Sequence, residues 1–355
     1  MSARLDEIRR RTREAGAQAA FVSRLPDIRW ATGFTGSNAL LVVTPTAAHL
    51  VTDGRYTEQA QREVSDATVH IAPTALADAV GASDWLAGVD AAVVQSDDLT
   101  LAAMARYRDA TPALEWVEAA AFLSSATAAK DARAIEMVHR AQTLTAAVFE
   151  EVLPLIRAGV TERELATELV RLHLDGGATR MSFDPIVAGG PNGALPHARP
   201  TDRALADGDL VVIDMGGVLD GYCSDMTRTV AVGEPDPDAR DAYAAVLAAK
   251  TAALDAVRAG VAGASLDLAA RDVLDATPWG DFFTHSLGHG VGTDVHEWPR
   301  LSRHADHVVP EGATITIEPG VYVLGRFGIR IEDLVAVTAD GHDNLTPLTS
   351  EMLVL

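Results

Sequence analysis

Short apolar runs alternate with amphipathic segments along the first third of the chain. The apolar runs predict strands at 20–22, 39–43, 48–51, 68–71 and 91–94. Between and around them, apolar residues recur at helical spacing and predict helices at 3–15, 56–64, 76–86 and 99–108. Strands that alternate with helices in this way indicate an α/β sheet domain. This part of the sequence contains no phosphate-binding glycine loop and no cluster of candidate metal ligands.

The pattern changes at a small polar stretch, residues 124–127, which predicts a domain boundary. A length of 355 residues also favours two domains. We therefore expect an N-terminal domain over residues 1–126 and a second domain over residues 127–355.

Four long segments of helical periodicity lie in the second domain. They span residues 131–156, 161–174, 237–257 and 265–275. Thr161 and Glu164 open the second of these helices with a capping-box pattern. Each pair of helices precedes strand-like runs, so a helix–helix–strand order occurs twice.

The segment 209–232 carries the first candidates for chemistry. It begins and ends with apolar runs that predict strands, and its middle contains dipeptides that favour tight turns, Gly216-Gly217 and Asp220-Gly221. Asp214 interrupts the first strand and Asp225 lies early in the second, so a hairpin can bring both to one face. Two carboxylates there repel each other unless a cation lies between them. Alternatively both are solvated turn residues, and this segment alone does not decide.

Three further candidates lie downstream in otherwise apolar segments. His289 lies among glycines, Glu318 ends a strand-like run at 314–318, and Glu332 alternates with isoleucines in a predicted strand at 328–337. A charged side chain in such a strand is rare unless it is paired or metal-bound. The alternative for Glu332 is an ion pair with Arg330, two residues earlier on the same predicted strand face. Together with Asp214 and Asp225, the set is rich in oxygen and suits a pair of hard divalent ions.

Composition and motif spacing disfavour several other classes of function. The net charge of −21 argues against a nucleic-acid partner, and no apolar run is long enough to span a bilayer. Cys223 is the only cysteine, and the N-terminus lacks the apolar region of a signal peptide, so a cytoplasmic location is expected. His296-Glu297 is not a mononuclear zinc helix, because Arg300 occupies the place of the second histidine.

With these residues in this order, the sequence resembles the dinuclear pita-bread metallopeptidases, which include Xaa-Pro dipeptidase (prolidase), aminopeptidase P and methionine aminopeptidase. The resemblance is weak at the N-terminus and strong from about residue 178. It rests on the five candidates and on their flanks: Pro196-His197, Gly288-His289-Gly290, Val295-His296-Glu297 and Ile317-Glu318-Pro319-Gly320. It implies an α/β, creatinase-N-like N-terminal domain and an α+β pita-bread catalytic domain with two pseudo-symmetric halves.

The resemblance also implies a role for each site residue. The implied metal ligands are Asp214, Asp225, His289, Glu318 and Glu332. They would hold two divalent ions, preferably Mn²⁺ with Co²⁺ or Zn²⁺ as alternatives, and a hydroxide shared by the ions would attack the scissile carbonyl. The implied catalytic residues are Glu318, as general base, with His296 and His197. The implied substrate-binding residues are His197, His285, His296, Arg300 and Arg330.

The implied activity is hydrolysis of the bond before a C-terminal proline in dipeptides. Arg300 favours this activity because a buried guanidinium could recognise the free carboxylate one residue beyond the scissile bond and penalise longer peptides. The alternatives are an aminopeptidase P, which acts on longer peptides, and a non-catalytic peptide-binding homologue. A homodimer is also implied, with Arg55 and Tyr56 placed to reach a partner's site. Three aromatic residues near the motifs are expected in the core rather than in a pocket: Phe183, Tyr222 and Trp298.

Overall fold

Two compact units make up the chain in the computed structural model, which describes residues 3–355. The first unit is Met1–Thr127 and the second is Ala128–Leu355. Within residues 3–355, every helix is too short or too polar to serve as a transmembrane span.

The first unit is a mixed β-sheet with helices packed on both faces. Its elements in chain order are α1 (Ala3–Glu14), β1 (Ala19–Val22), α2 (Leu25–Thr32), β2 (Ala39–Val43), β3 (Ala48–Asp53), α3 (Thr57–Glu63), β4 (Thr68–Ala72), α4 (Leu76–Gly81), β5 (Ala91–Gln95), α5 (Leu101–Ala110) and β6 (Glu115–Ala119). The sheet order is β4-β3-β2-β1-β5-β6. Strands β1 and β2, and β2 and β3, are antiparallel, and the other neighbours are parallel.

Alternation along β1 shows why both faces of this sheet are covered. Ala20 and Val22 face a core that includes residues of α1 and α2, whereas Ala19 and Phe21 face a core that includes residues of α4 and α5. The predicted α/β alternation is therefore confirmed, and the structure adds α2 and β6. Helix α4 ends at Gly81, five residues before the predicted end at residue 86.

The second unit contains the remaining elements. In chain order they are α6 (Ser124–Ala128), which spans the division, α7 (Ala132–Val152), α8 (Glu162–Asp175), β7 (Arg180–Met181), β8 (Ile186–Gly189), β9 (Leu210–Met215), β10 (Gly217–Leu219), β11 (Tyr222–Cys223), β12 (Met226–Ala231), α9 (Pro237–Ala256), α10 (Gly263–Asp275), β13 (Gly288–Gly290), β14 (Glu297–Leu301), β15 (Thr314–Ile317), β16 (Gly320–Val323), β17 (Phe327–Arg330), β18 (Asp333–Val337) and β19 (His342–Asn344). Thr161 and Glu164 form the predicted capping box at the start of α8. Helix α7 ends earlier than predicted because Pro154 cannot continue it.

Two helix pairs cover two groups of strands in this unit. The apolar faces of α7 and α8 pack against the sheet β12-β9-β8. Those of α9 and α10 pack against β15, β17 and β18, two of which belong to the sheet β14-β13-β15-β18-β19. Strands β16 and β17 form a separate hairpin, and β11-β10-β7 form a small third sheet. The helix–helix–strand order of the sequence therefore appears as two similar layers.

The segment 209–232 differs in detail from the predicted hairpin. Strands β9 and β12 pair antiparallel as expected, with Asp214 opposite Thr227. Only Asp220-Gly221 is a tight turn, with φ of 49° and 75°, and it joins β10 to β11. Gly216 is not a turn residue: a Cβ there would lie 2.0 Å from the carbonyl oxygen of Ser224, so glycine is required by the close approach of the segment that connects β11 to β12.

The predicted continuous strand at 328–337 is also wrong. Strand β17 ends at Arg330 and β18 begins at Asp333, and the two belong to different sheets. Ile331 and Glu332 form the crossing between them, where the two-residue alternation of a single strand no longer applies.

We predict that Gly216→Ala destabilises the second unit by about 1–3 kcal/mol, the range for overpacking a core. Gly341→Ala is the matched control, since a Cβ at Gly341 would have no neighbour nearer than 3.9 Å. Thermal unfolding of both variants checks this, and equal midpoints would contradict the close approach at Gly216.

Candidate metal centre

The five predicted ligands line one pocket of about 610 Å³. Both layers of the second unit contribute to it. Asp214 lies in β9 and Asp225 directly precedes β12, whereas the other three lie in or beside β13, β15 and β18: His289, Glu318 and Glu332. The pocket therefore lies where the two layers meet.

The ligand atoms are close enough to share a cation. Nε2 of His289 lies 3.3 Å from Oε1 of Glu318 and 3.6 Å from Oδ2 of Asp225. One ligand atom from each of Asp225, His289 and Glu332 lies within 4.8 Å of the other two. Donors with this spacing can surround an ion at metal–ligand distances of about 2.0–2.6 Å.

Hydrogen bonds fix the orientation of the His289 ring. Its Nδ1 donates to the carbonyl oxygen of Gly290 at 3.0 Å, which leaves Nε2 as the ring nitrogen that faces the carboxylates. The backbone N–H of His289 donates to Oγ1 of Thr316 at 3.1 Å, and Thr316 in turn donates to Oε1 of Glu318 at 3.2 Å. His289 and Glu318 are thus held by one shared partner.

The glycines beside His289 let three strands approach closely. A Cβ at Gly288 would lie 2.1 Å from the carbonyl oxygen of Thr316, and a Cβ at Gly290 would lie 2.4 Å from that of Trp298. The sequence led us to expect room near the backbone, and the neighbouring strands β15 and β14 occupy that room.

Glu332 is held by its side chain and its backbone. Oγ1 of Thr227 donates to Oε2 of Glu332 at 2.7 Å, and the Glu332 N–H donates to the carbonyl oxygen of Thr227 at 3.1 Å. The guanidinium of Arg228 donates to the carbonyl oxygen of Glu332 at 2.5 Å. The position of this carboxylate at the sheet crossing is therefore well defined.

The carboxylates strongly perturb each other's ionisation. Burial raises the pKa of Asp225 and of Glu332 well above the usual carboxyl range, and the neighbouring carboxylates raise both further. Burial also raises the pKa of Asp214, although Arg330 opposes this. For Glu318, burial favours a higher pKa, but the hydrogen bond and charge of His289 lower the pKa to about 2. Burial favours a lower pKa for His289. The hydrogen bond and the charge of Glu318 outweigh burial, so the pKa of His289 is raised.

Two carboxylate oxygens have no hydrogen-bond donor among the described residues. They are Oδ1 of Asp214 and Oε1 of Glu332, and both are buried. A buried acceptor without a donor is costly, and so are ionised carboxylates that face each other. A divalent cation would coordinate these oxygens and would also neutralise the repulsion between the carboxylates. The residues therefore fit the metal ions that the sequence predicts.

The other predicted site residues also line the pocket: His197, His285, His296, Arg300 and Arg330. The rings of His289 and His296 meet edge to face, with centroids 4.4 Å apart. Arg300 lies opposite His289 in the pairing of β14 with β13. His197, His296 and Arg300 are exposed, so the expectation of a buried Arg300 is wrong.

Arg330 is buried and does not pair with Glu332, so that alternative is wrong. Its guanidinium lies 2.6 Å from Oδ2 of Asp214 and 4.0 Å from Oε2 of Glu318. Arg330 also donates to the hydroxyl of Tyr322 at 2.7 Å and to Oγ1 of Thr227 at 3.1 Å. Because the chain crosses between sheets after Arg330, its side chain reaches Asp214.

Sequence reasoning missed two aromatic residues of the site. The hydroxyl of Tyr322 lies 2.9 Å from Nε2 of His285, which links that histidine to Arg330. Phe183, which we expected in the core, lines the pocket beside Asp184 and Pro185. Aromatic residues are usually core residues, so the sequence carried no signal that separates these two.

Known proteins with a similar sequence or structure support the interpretation of the pocket as a metallopeptidase site. An Xaa-Pro dipeptidase of Pyrococcus furiosus is 41% identical over 219 residues, which cover 62% of this chain and 63% of that protein. The structure of an Xaa-Pro dipeptidase from Bacillus anthracis matches with a TM-score of 0.96 and 32% identity, over 99% of both chains. An X-Pro aminopeptidase structure from Thermotoga maritima matches with a TM-score of 0.89 and 33% identity, over 98% of this chain and 100% of that one.

Two family matches divide the chain in the same order as the fold. Residues 4–126 match the creatinase/prolidase N-terminal domain, and residues 136–339 match metallopeptidase family M24. The predicted fold class, an α/β N-terminal domain and a pita-bread catalytic domain, is confirmed. The chain belongs to metallopeptidase family M24.

Proposed function

We propose that the protein is a metal-dependent Xaa-Pro dipeptidase that cleaves the bond before a C-terminal proline. The observation that carries this proposal is the pocket itself, which combines a carboxylate-rich ligand set with an exposed arginine at Arg300. The similar proteins named as Xaa-Pro dipeptidases support the same activity.

Arg300 would select the substrate by its length. It lies in β14 directly opposite the ligand His289, one strand away from the metal site. A residue spans only about 3.3–3.6 Å, so the carboxylate of a dipeptide lies close to its scissile bond. A guanidinium binds such a carboxylate with two parallel hydrogen bonds, whereas a tripeptide presents a neutral amide there.

The ligand residues would hold two divalent ions, which lower the pKa of a water molecule and polarise the scissile carbonyl. Mn²⁺ suits a donor set that is mostly oxygen, with Co²⁺ or Zn²⁺ as alternatives. Glu318 would accept a proton from the attacking water and pass it to the proline nitrogen.

His296 and His197 would contact the reacting part of the substrate. Although the residue is exposed overall, the pocket partly desolvates the ring of His296 and lowers its pKa, and the charge of His289 lowers it further. The ring is therefore neutral near pH 7 and can donate one N–H to the oxygen that becomes negative. His197 is exposed in the pocket and would help to orient the peptide.

His285 and Arg330 line the pocket, where they would act by holding other groups in place. Nδ1 of His285 donates to the carbonyl oxygen of Ser286 at 2.8 Å, and Nε2 accepts from Tyr322 at 2.9 Å. Arg330 uses its donors on Asp214, Tyr322 and Thr227. We therefore assign both residues to holding the ligand carboxylates and the pocket wall in place.

A comparison of two substrates tests the proposal. In the presence of Mn²⁺, the protein should hydrolyse Ala-Pro and leave Ala-Pro-Ala largely intact. Equal cleavage of both peptides would identify an aminopeptidase P, the activity named for the Thermotoga maritima structure. No cleavage of either by protein with bound metal would favour a peptide-binding homologue.

We also propose a cytoplasmic homodimer. Arg55 and Tyr56 follow β3 in the N-terminal unit, where an exposed loop could contribute to a neighbouring subunit's site. Light scattering that showed a fully active monomer would remove this part of the proposal.

We predict that the metal-free protein loses stability as the pH rises. The raised pKa values of Asp225 and Glu332 mean that the folded state keeps protons which the unfolded state releases near the ordinary carboxyl pKa of 3.8 to 4.5. The free energy of unfolding therefore falls as the pH rises from that range through the raised values, by about 1.4 kcal/mol per pH unit for each carboxyl group. Bound cations should cancel this slope.

Thermal unfolding of chelator-treated and Mn²⁺-loaded protein, from about pH 4.5 to about pH 8, measures both slopes. Asp225→Asn is the control, since it removes one titrating group and should flatten the metal-free profile. Metal-free protein that gained stability over this range would contradict the proposed cluster.

We predict different defects for Asp225→Ala and His296→Ala. Asp225→Ala removes a ligand, so it should lower the metal content and abolish turnover. His296→Ala should keep the metal content and lose on the order of 10²–10³ in kcat, as expected for one transition-state donor. Elemental analysis after dialysis, together with kinetics, separates the two, and metal loss in His296→Ala would show that the assignment is wrong.

We predict that Arg300→Ala raises KM for Ala-Pro by about 10- to 100-fold, the loss expected for a charge-assisted hydrogen-bonded pair. Metal content and the slow cleavage of Ala-Pro-Ala should change little. Arg303→Ala is the matched control, because Arg303 is exposed nearby but does not line the pocket. Equal effects of Arg300→Ala on the dipeptide and the tripeptide would exclude Arg300 as the carboxylate-binding residue.

A further inference from the structure

The chain contains only two lysines, Lys130 and Lys250, although it has 29 basic residues of the lysine and arginine types. Both lysines are buried, with side-chain exposures of 6% and 3%. Nζ of Lys130 lies 2.9 Å from Oε2 of Glu297, and Nζ of Lys250 lies 2.5 Å from Oδ2 of Asp333. Each lysine therefore neutralises a buried carboxylate in the catalytic unit.

Each of these carboxylates directly follows a residue of the pocket. Glu297 follows His296, and Asp333 follows the ligand Glu332. A buried ion pair contributes little net stability but fixes the position of its members, because removal of one partner leaves an uncompensated charge. The two lysines are therefore placed to control the backbone beside two functional side chains.

The Lys130–Glu297 pair anchors the loop that carries His296. This loop, residues 291–296, connects β13 to β14. While Oε2 of Glu297 binds Lys130, Oε1 accepts from the Asp294 N–H at 3.0 Å and from Oγ1 of Thr293 at 3.3 Å. Glu297 thus bonds back to the loop that precedes it and closes the loop on itself.

Gly292 shows how closely the loop is built around this pair. A Cβ at Gly292 would lie 2.5 Å from Oε2 of Glu297 and 2.7 Å from Cε of Lys130. The Gly292 N–H also donates to the carbonyl oxygen of Asp294 at 2.9 Å. The backbone before His296 can therefore follow this path only while the Glu297 carboxylate and the Lys130 ammonium keep their positions.

We propose that Lys130 is a positioning residue for His296. By neutralising Glu297, Lys130 fixes the loop 291–296 and keeps the exposed ring of His296 beside that of His289, at a centroid distance of 4.4 Å. Without the ammonium, Glu297 must turn toward water, and its bonds to Thr293 and Asp294 are lost. A displacement of about 1 Å in a group that contacts the substrate costs about a hundredfold in rate. The kinetic part of this inference rests on the proposed peptidase function.

Lys130→Met removes the charge and keeps the length of the side chain. It should lower kcat on Ala-Pro by about 10- to 100-fold, with KM changed less than about threefold and the metal content unchanged. Lys250→Met is the comparison variant, since it removes an equally buried lysine. That variant should lower the metal content instead, because Asp333 adjoins the ligand Glu332.

A double-mutant cycle separates positioning from general destabilisation. In the His296→Ala background, Lys130→Met should change kcat by no more than about twofold, because the group that it positions is absent. The same fold-loss in both backgrounds would overturn the proposal. The double variant Lys130→Met with Glu297→Gln removes both charges and should recover part of kcat. If Lys130→Met alone does not fold, the double variant is used for the test instead.

Hydrogen exchange provides a readout that needs no substrate. The amides of residues 291–297 should exchange faster in Lys130→Met than in the wild-type protein, since Asp294 loses its acceptor on Glu297. Unchanged exchange in this loop would overturn the proposal whatever the substrate is. A wild-type protein that cleaves no Xaa-Pro peptide would overturn the proposed function instead, and the exchange data would still decide the role of Lys130.

Discussion

Repulsion among buried carboxylates is the constraint on which the catalytic unit depends. Four acidic side chains meet in one pocket, and each belongs to a residue that lies in a strand or directly beside one. They are Asp214, Asp225, Glu318 and Glu332. Arg330 and His289 are the basic groups paired with them among the described residues. Because the strands hold the backbone of these residues in place, the carboxylates cannot move apart. The remaining negative charge must therefore be compensated within the pocket, either by protons or by cations.

The surrounding structure keeps this unfavourable arrangement in place. Arg330, Tyr322 and His285 form a chain of hydrogen bonds that ends at the backbone of Ser286, so the ring of His285 stays neutral in the pocket wall. Burial lowers the pKa of His285, which agrees with this neutral state. On the other side, Arg228 and Lys250 both bind Asp333, next to Glu332. The ion pairs of Arg228 and Lys250 with Asp333 therefore help to hold the neighbouring Glu332 in the pocket.

Part of the fold could be predicted because periodicity is a local property. The alternation of apolar runs and helical segments led to the α/β sheet of the first unit, and the Thr161–Glu164 capping box gave the start of α8. Gly216 was assigned to a turn because the sequence does not show that the carbonyl oxygen of Ser224 would lie 2.0 Å from a Cβ there. Close approach between strands is a tertiary property that a dipeptide pattern does not contain.

The same distinction applies to the site. Asp214 and Glu332 were suspected as ligands because an acidic residue in an apolar run needs a partner, and the structure places both in one pocket. The partner of Arg330 was predicted incorrectly because the two-residue period assumed one strand, whereas the chain changes sheets at Ile331 and Glu332. Tyr322 gave no signal, since its role depends on contacts with residues far away in the sequence.

Anomalous X-ray diffraction from crystals grown with Mn²⁺ tests most directly whether cations hold the carboxylates together. Such crystals should show two anomalous peaks in the pocket, among ligands that would include Asp225, Glu332 and Nε2 of His289. One peak should also lie within bonding distance of Oδ1 of Asp214, an oxygen that has no donor among the described residues. An ordered pocket without any anomalous peak, or Mn²⁺ bound only elsewhere, would show that cations do not hold the carboxylates together.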